Sequence, residues 1–159
     1  MTAPPEFLEG LNADDAAALM ALGTATILKT GAVLFDLGSP ADFLYLVERG
    51  RINLTLPMEV AGHQQDVLVE ERLPGQMLGW SALIPPHRFT LKATAPLESE
   101  VIGFARAALF AHFAANPQVG YQVTRNVGGV IGQRLQILQA MWLREMRRVV
   151  QHRYEVNRG

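Results

Sequence analysis

The residues with the clearest chemical potential lie between Gly79 and Thr90, where glycine, serine, histidine and arginine occur close together. A glycine lets the backbone approach a ligand closely, and the free N–H groups at the start of a short helical turn favour negative charge. His87 and Arg88 follow a proline pair and could add cationic donors, and the planar guanidinium of an arginine matches the geometry of a phosphate. This order of residues predicts a cradle for a small anion.

The same stretch resembles the phosphate-binding cassette of the cyclic-nucleotide-binding domain family. That cassette runs Gly-Glu-x-Ala-Leu, a spacer, then Pro-Arg-Ser/Thr/Ala and a strand. Gly79, Ala82 and Leu83 match the glycine, alanine and leucine of the family, and Pro86 matches the proline before its arginine. Trp80 stands where the family has the glutamate that accepts a hydrogen bond from the ribose 2′-hydroxyl.

Two alignments of the basic residues remain open. If the strand is anchored on Thr90-Leu91-Lys92-Ala93, His87 takes the place of the phosphate-binding arginine and Arg88 takes the small hydroxyl position. A slip of one residue in the loop restores Arg88 as that arginine. The resemblance implies the following ligand-binding set: Gly79, Trp80, Ser81, Ala82, His87, Arg88, Phe89 and Thr90.

Several aromatic and hydroxyl side chains in this region have alternative interpretations. Trp80 offers no acceptor to a ribose, so it either fills the pocket, packs in the core or stacks on a ligand ring. Ser81 either donates to a phosphate or caps the short helix. Phe43 and Tyr45 occur at strand spacing and are predicted to lie in the core.

Further glycines recur at the spacing of the family, namely Gly31, Gly38 and Gly50. The resemblance covers most of the chain, from about residue 7 to residue 143. It implies a double-stranded β-helix, or jelly roll, with flanking helices, and cyclic AMP or cyclic GMP as the ligand.

The amino-acid composition excludes several classes of protein function. The chain has 159 residues, of which 49% are hydrophobic and 18% charged, so it can bury one domain core and a helical extension. It has no cysteine, which excludes disulfides, thiolate catalysis and cysteine-based zinc sites. The histidines lack metal-ligand spacing, and no nucleophile elbow, Walker loop or dinucleotide fingerprint occurs. We therefore expect no enzyme activity, no metal and no cofactor.

No part of the chain indicates export or membrane insertion. The N-terminus has no basic and apolar leader pattern, and no segment approaches the roughly 20 apolar residues that span a bilayer. We expect a cytoplasmic protein.

Hydrophobic periodicity divides the chain into an N-terminal helical segment (1–25), a β core (26–105) and C-terminal helices (106–159). Asn12 is a good N-cap, followed by Asp15 and by helix formers from Ala16 to Leu22. The core contains seven or eight short runs of strand type, which indicate a mainly β sandwich or barrel. The polar segment Pro57–Asp66 is predicted to be a mobile hairpin loop outside the core.

The C-terminal third is predicted to be helical. A short helix over 107–115 ends at Asn116-Pro117, and 118–154 forms one long helix or two that join near Gly128-Gly129, a pair that would mark a kink or close packing. The apolar stripe of this helix is longer than one small domain can bury, so a homodimer is predicted. The predicted dimer interface is Val127, Ile131, Leu135, Leu138 and Trp142.

Charge is unevenly distributed. Residues 1–124 carry 7 Lys+Arg and 13 Asp+Glu, whereas residues 125–159 carry 7 and 2. A basic tail can contact nucleic acid or acidic membranes, but arginines near a helix C-terminus also complement the helix dipole, and we favour this second interpretation. In transcription factors of the family a helix-turn-helix follows the long helix; here the chain ends at that point, so no sequence-specific DNA binding is expected.

Two functions remain open from the sequence. The first is a sensor of a cyclic nucleotide or another small anion that signals through its C-terminal helix. The second is a degenerate member whose pocket is closed by Trp80 and which acts as a dimerisation or protein-interaction scaffold.

Overall fold

The computed structural model describes residues 4–158, in which eight strands form two antiparallel sheets accompanied by helices. A 3-10 turn at Glu6–Leu8 and helix α1 (Ala13–Met20) precede the sheets. The strands are β1 (Thr24–Leu28), β2 (Val33–Phe35), β3 (Phe43–Arg49), β4 (Ile52–Val60), β5 (His63–Arg72), β6 (Met77–Leu78), β7 (Lys92–Thr94) and β8 (Ser99–Ala105). A second 3-10 turn, Trp80–Ala82, follows β6, and helices α2 (Arg106–Ala115) and α3 (Pro117–Val156) follow β8.

The strand order confirms the jelly roll. One sheet has the order β1-β8-β3-β6 and the other β2-β7-β4-β5, so most neighbours in space are distant in sequence. In the first sheet Leu44 pairs with Phe104, and in the second Leu54 pairs with Ala93, and all four side chains are buried. The alternation predicted for the strands therefore places apolar side chains in the core.

The helical segment before the sheets begins where the sequence predicts. Asn12 Oδ1 accepts a hydrogen bond from Asp15 N at 2.8 Å, and Asn12 Nδ2 donates to Asp15 Oδ2 at 2.8 Å. A Cβ atom on Gly23 would lie 2.4 Å from Ile102 Cγ2, so this glycine permits the close approach of the chain to β8. Phe7 packs edge-on against Phe104 with ring centroids 5.2 Å apart, which fixes the N-terminal segment to the same sheet.

The prediction of a loop at Pro57–Asp66 was wrong. Strand β4 continues to Val60, β5 begins at His63, and only Ala61 and Gly62 form the turn, both with positive φ. A tight two-residue turn of this kind matches the twist of a hairpin. The hairpin end does lie outside the core, because residues 58–66 are exposed. Its polar side chains lack the apolar alternation by which the sequence reveals a strand.

The C-terminal prediction is resolved in favour of a single long helix, with no break in α3 at Gly128-Gly129. A Cβ atom on either glycine would meet no described atom within 4 Å, so close packing is not seen there within the described residues.

Among the described residues, no helix combines the length and the apolar character that a membrane span requires.

The chain divides into two compact units, residues 1–127 and 128–159. The first holds both sheets, α1, α2 and the start of α3, and Val127 is fully buried in it. The second is the remainder of α3, on which Leu135, Leu138 and Trp142 are exposed. The predicted interface residue Val127 is thus already covered within its own chain.

Candidate ligand-binding site

The glycine turn of the candidate site lies directly after β6. Gly79 has a φ of 78°, in the left-handed region, and a Cβ atom there would lie 3.2 Å from both Phe43 O and Phe89 Cε1. The 3-10 turn that follows is closed by hydrogen bonds from Ala82 N to Gly79 O and from Leu83 N to Trp80 O, each 3.0 Å. The predicted order of glycine turn and short helical turn is confirmed, and glycine is required both for conformation and for space.

Ser81 does not cap this turn. The N-cap position is Gly79 and no side chain bonds to the free N–H groups of the turn, while Ser81 is its second residue and is buried. The other interpretation, that Ser81 donates a hydrogen bond to a phosphate, stays a prediction.

The loop after the turn fixes the backbone of His87. His87 adopts a φ of 56°, its N–H donates to Ile84 O at 3.0 Å, and its carbonyl accepts from Ala41 N at 2.8 Å. The ring nitrogen Nδ1 lies 3.1 Å from Ser81 O. The imidazole is therefore engaged with the backbone of the preceding turn.

Arg88 is placed differently. Its side chain is exposed, and Nη1 donates to Gly38 O at 2.9 Å. The neighbouring backbone is held by hydrogen bonds between Phe89 N and Ser39 O at 3.0 Å and between Gly38 N and Phe89 O at 2.8 Å. Arg88 forms no ion pair with any residue that the structure describes. Its guanidinium therefore keeps N–H donors that form no hydrogen bond with the described residues.

Four aromatic rings run from the interior of the β core to its surface beside this turn, and we call them the aromatic ladder: Phe89, Phe35, Tyr45 and Phe43. Phe89 stacks on Phe35 with centroids 3.6 Å apart, Phe35 on Tyr45 at 6.0 Å, and Tyr45 on Phe43 at 6.1 Å. Phe89 is buried, whereas Phe43 is 44% exposed. The prediction that Phe43 lies in the core was wrong, because Phe43 is the first residue of β3 and ends the ladder at the surface, whereas Tyr45 on the same face of the strand is half-buried.

Tyr45 is the polar member of the ladder. Burial raises the pKa of its phenol, and the negative charge of Asp42 raises this pKa further. Asp42 is itself paired with Arg106, whose Nη2 lies 3.2 Å from its Oδ1. The Tyr45 hydroxyl therefore keeps its proton to a higher pH than an ordinary tyrosine does.

A buried ionic cluster lies at the other end of the cassette, where β5 leads into β6. Arg72 is 2% exposed; its Nε donates to Met77 O at 2.8 Å, its Nη1 to Glu70 Oε1 at 2.7 Å, and its Nη2 to Glu6 Oε1. The same Glu6 oxygen accepts from Met77 N at 2.7 Å. This cluster ties the N-terminal 3-10 turn to the strand that carries the cassette. The sequence reasoning missed it.

A pocket of about 580 Å³ opens near this cluster. It is lined by Pro4, Pro5, Glu6, Leu8, Met20, Glu48, Pro74, Gly75 and Gln76. None of the residues predicted to bind the ligand lines it.

The model of the cyclic nucleotide-binding domain family matches residues 26–116, which is more than half of the chain. The chain belongs to the cyclic nucleotide-binding domain family. A solved structure of a protein from Geobacter metallireducens, described as a cyclic nucleotide-binding protein, is 25% identical, with a TM-score of 0.67 over 84% of this chain and 99% of that one. The Thermus thermophilus catabolite activator protein shares the fold at 20% identity, with a TM-score of 0.71 over 86% of this chain and 61% of that one.

A curated relative is an enzyme. Glutaminase 1 of Bradyrhizobium diazoefficiens is 28% identical over 137 residues, which is 84% of this chain and 20% of the glutaminase. The chain thus spans about a fifth of the length of this relative.

The remaining predicted site residues differ in their surroundings. Trp80 is half-buried, and none of the aromatic ring pairs among the described residues includes it. Its assignment to the position of the family's glutamate stays a prediction. Of the two basic residues, His87 faces the backbone of its own turn and Arg88 faces outward. The cyclic nucleotide-binding domain fold is that of a regulatory ligand-binding module.

Proposed function

We propose that this domain is a sensor that binds a small anionic ligand in the cassette and transmits binding through its C-terminal helix. The observation that carries the proposal is Arg88, an exposed cation with a single hydrogen bond to a backbone carbonyl and no described ion pair, in the loop that follows the glycine turn in sequence. An arginine in this position has the remaining forked donors that a phosphate or carboxylate requires.

Ordinary cyclic nucleotides should bind weakly. The family's glutamate makes a charge-assisted hydrogen bond to the ribose, a contact worth about 1.5 to 3 kcal/mol, and Trp80 cannot make it. Affinity should fall roughly tenfold to over a hundredfold from this loss alone. A weakened response to cyclic AMP and cyclic GMP therefore fits the proposal.

The test is calorimetry of the purified protein against cyclic AMP, cyclic GMP and inorganic phosphate, with Arg88→Ala as the variant. We expect Arg88→Ala to weaken binding of the anion that the parent binds best by about 2 kcal/mol, roughly thirtyfold. Arg49→Ala is the matched control, because Arg49 is an exposed arginine that pairs with Glu98 and Glu100. Equal affinities of Arg88→Ala and the parent would show that the cassette assignment is wrong.

The alternative function, a scaffold that dimerises through α3, is supported by a different observation. On the second unit Leu135, Leu138 and Trp142 are 56%, 41% and 62% exposed, and exposed apolar patches of this kind mark interfaces. Light scattering should give twice the monomer mass for the parent and the monomer mass for Leu138→Arg. Gln136→Arg, an exposed position without an apolar side chain, should stay dimeric. A monomeric parent at tens of micromolar would rule out the dimerisation scaffold.

Catalysis is not part of the proposed function. The similarity to glutaminase 1 concerns a fifth of that enzyme. Incubation with glutamine should release no ammonia above the rate of a heat-denatured sample, and a release above that rate would contradict the proposal.

A further inference from the structure

We propose that the ligand of this domain is a flat aromatic anion without a ribose, which stacks on the exposed end of the aromatic ladder. This inference rests on the proposed function, since it takes the cassette to be an anion site and names the body of the molecule that carries the anion.

The first argument is the continuity of the ladder. Each ring lies within 3.6 to 6.1 Å of the next, and the series ends at Phe43, whose ring is 44% exposed although the adjacent Leu44 is fully buried. Stacked aromatic pairs stabilise by about 0.5 to 1.5 kcal/mol beyond the area they bury. A ligand ring on Phe43 would extend an existing stack by one member and would cover the exposed ring.

The second argument is the position of two glycines. A Cβ atom on Gly103 would lie 3.3 Å from Tyr45 Cε1 and 3.6 Å from Phe43 Cδ1, and one on Gly79 would lie 3.4 Å from Tyr45 Cδ2 and 3.2 Å from Phe89 Cε1. Bare backbone therefore adjoins rings of the ladder on both β8 and the cassette turn, and Tyr45 is next to both glycines. A molecule on Phe43 would extend the ladder from Tyr45, the ring that the cassette turn approaches.

The third argument concerns the acceptors available to a sugar. Trp80, at the position where the resemblance predicts the ribose-binding glutamate, offers no acceptor, and the carboxylate of Asp42, whose charge acts on Tyr45, is paired with Arg106. Tyr45 contributes a phenolic group to the aromatic ladder. The ladder therefore offers rings to a flat ligand, whereas neither Trp80 nor Asp42 offers a free acceptor to a ribose.

The test compares two carboxylates of equal charge and similar size, flat naphthoate and its saturated, puckered analogue decahydronaphthoate, with cyclic AMP as the third ligand. Calorimetry on the full chain should show naphthoate binding about tenfold more tightly than decahydronaphthoate, as one added stacking contact would give. Naphthoate should also bind more tightly than cyclic AMP.

The variant Phe43→Leu removes the outer ring but keeps an apolar side chain at a position that is already exposed, so the fold should tolerate it. We expect it to remove most of the preference for the flat carboxylate. The matched control is Tyr121→Leu, which removes an exposed ring outside the ladder and should leave the preference unchanged.

The outcomes separate the inference from the function on which it rests. If cyclic AMP binds more tightly than naphthoate and loses affinity in Arg88→Ala, the inference fails and the sensor function stands. Equal binding of the flat and puckered carboxylates, or an unchanged preference in Phe43→Leu, would also overturn the inference. If neither these three anions nor cyclic GMP nor inorganic phosphate binds the parent, both the inference and the sensor function fail.

Discussion

Arg72 and Arg88 lie before and after the same cassette turn, and their surroundings are opposite. Arg72 is 2% exposed and donates to Glu6, to Glu70 and to the carbonyl of Met77. Arg88 is exposed and donates to one carbonyl, that of Gly38. One arginine has its donors directed to fixed partners within the chain, and the other keeps most of its donors for solvent or a ligand.

The difference separates a structural charge from one that is available for binding. A buried cation without partners would cost several kcal/mol, so Arg72 can be buried only because two carboxylates and a carbonyl surround it. An exposed arginine has no such requirement, and its removal should barely change stability. The base of the cassette is therefore held by the N-terminal segment, while the guanidinium of Arg88 keeps exposed donors, as the proposed anion site requires.

The largest effect is expected from Arg72→Ala. This change removes the cation that pairs with the partly buried carboxylate of Glu6 and the donor to Met77 O, and breaking a buried pair in this way costs about 3 to 5 kcal/mol. Urea unfolding followed by circular dichroism should show this loss, and Arg88→Ala should stay within about 0.5 kcal/mol of the parent. Should Arg72→Ala not fold, Glu6→Gln keeps an acceptor for Met77 N and gives a smaller, measurable loss. Similar stabilities of the two arginine variants would refute the comparison.

The next effect concerns binding at the tip. If Trp80 closes the pocket, Trp80→Glu restores the acceptor of the ribose hydroxyl and opens volume, so affinity for cyclic AMP should rise by about 1.5 to 3 kcal/mol. Trp80→Gln is the matched control, because it opens the same volume without the charge. A folded Trp80→Glu protein without increased affinity would count against a closed pocket, and an equal increase in both variants would assign the effect to volume alone.

The sequence predicts the fold well because the patterns that indicate it are either local or recur in a fixed order along the chain. Asn12 and Asp15 are three residues apart and mark the start of α1 by themselves. The glycines of the resemblance occur in the right order, and Gly79 has the left-handed backbone that only glycine adopts without strain. The predicted strand limits were less accurate at the β4–β5 hairpin. Many residues there are polar and pair through their backbone, so the sequence shows no apolar periodicity that would reveal a strand.

The site was predictable only in part, because its remaining features depend on residues that are distant in sequence. Glu6 and Arg72 are 66 positions apart, and nothing near either residue indicates the other. The spacing of Phe43 and Tyr45 reveals that they share one face of a strand. It does not reveal that Phe35, from the other sheet, and Phe89, from the loop before β7, continue the same stack. Only the jelly-roll topology brings these rings together.

The smallest effect is a pH dependence at the inner part of the ladder. Burial and Asp42 raise the pKa of Tyr45 above the usual value of about 10. In the unfolded chain Tyr45 ionises near that usual value, whereas in the folded protein it keeps its proton to higher pH. Tyr45 therefore contributes stability that is fully present below about pH 10 and is lost as the pH rises through the folded pKa. Tyr45→Phe removes this contribution.

The measurement is the free energy of unfolding of the parent and of Tyr45→Phe between about pH 9 and pH 11, around the usual pKa of a tyrosine. Stability should fall more steeply with pH in the parent, and the difference between the two proteins isolates the contribution of Tyr45. Tyr121→Phe is the control, since Tyr121 is 66% exposed. It should follow the parent. If the stability of Tyr45→Phe falls with pH as steeply as that of the parent, Tyr45 is as hydrated as the exposed Arg88. The contrast between the buried Arg72 and the exposed Arg88 then does not extend to the aromatic ladder.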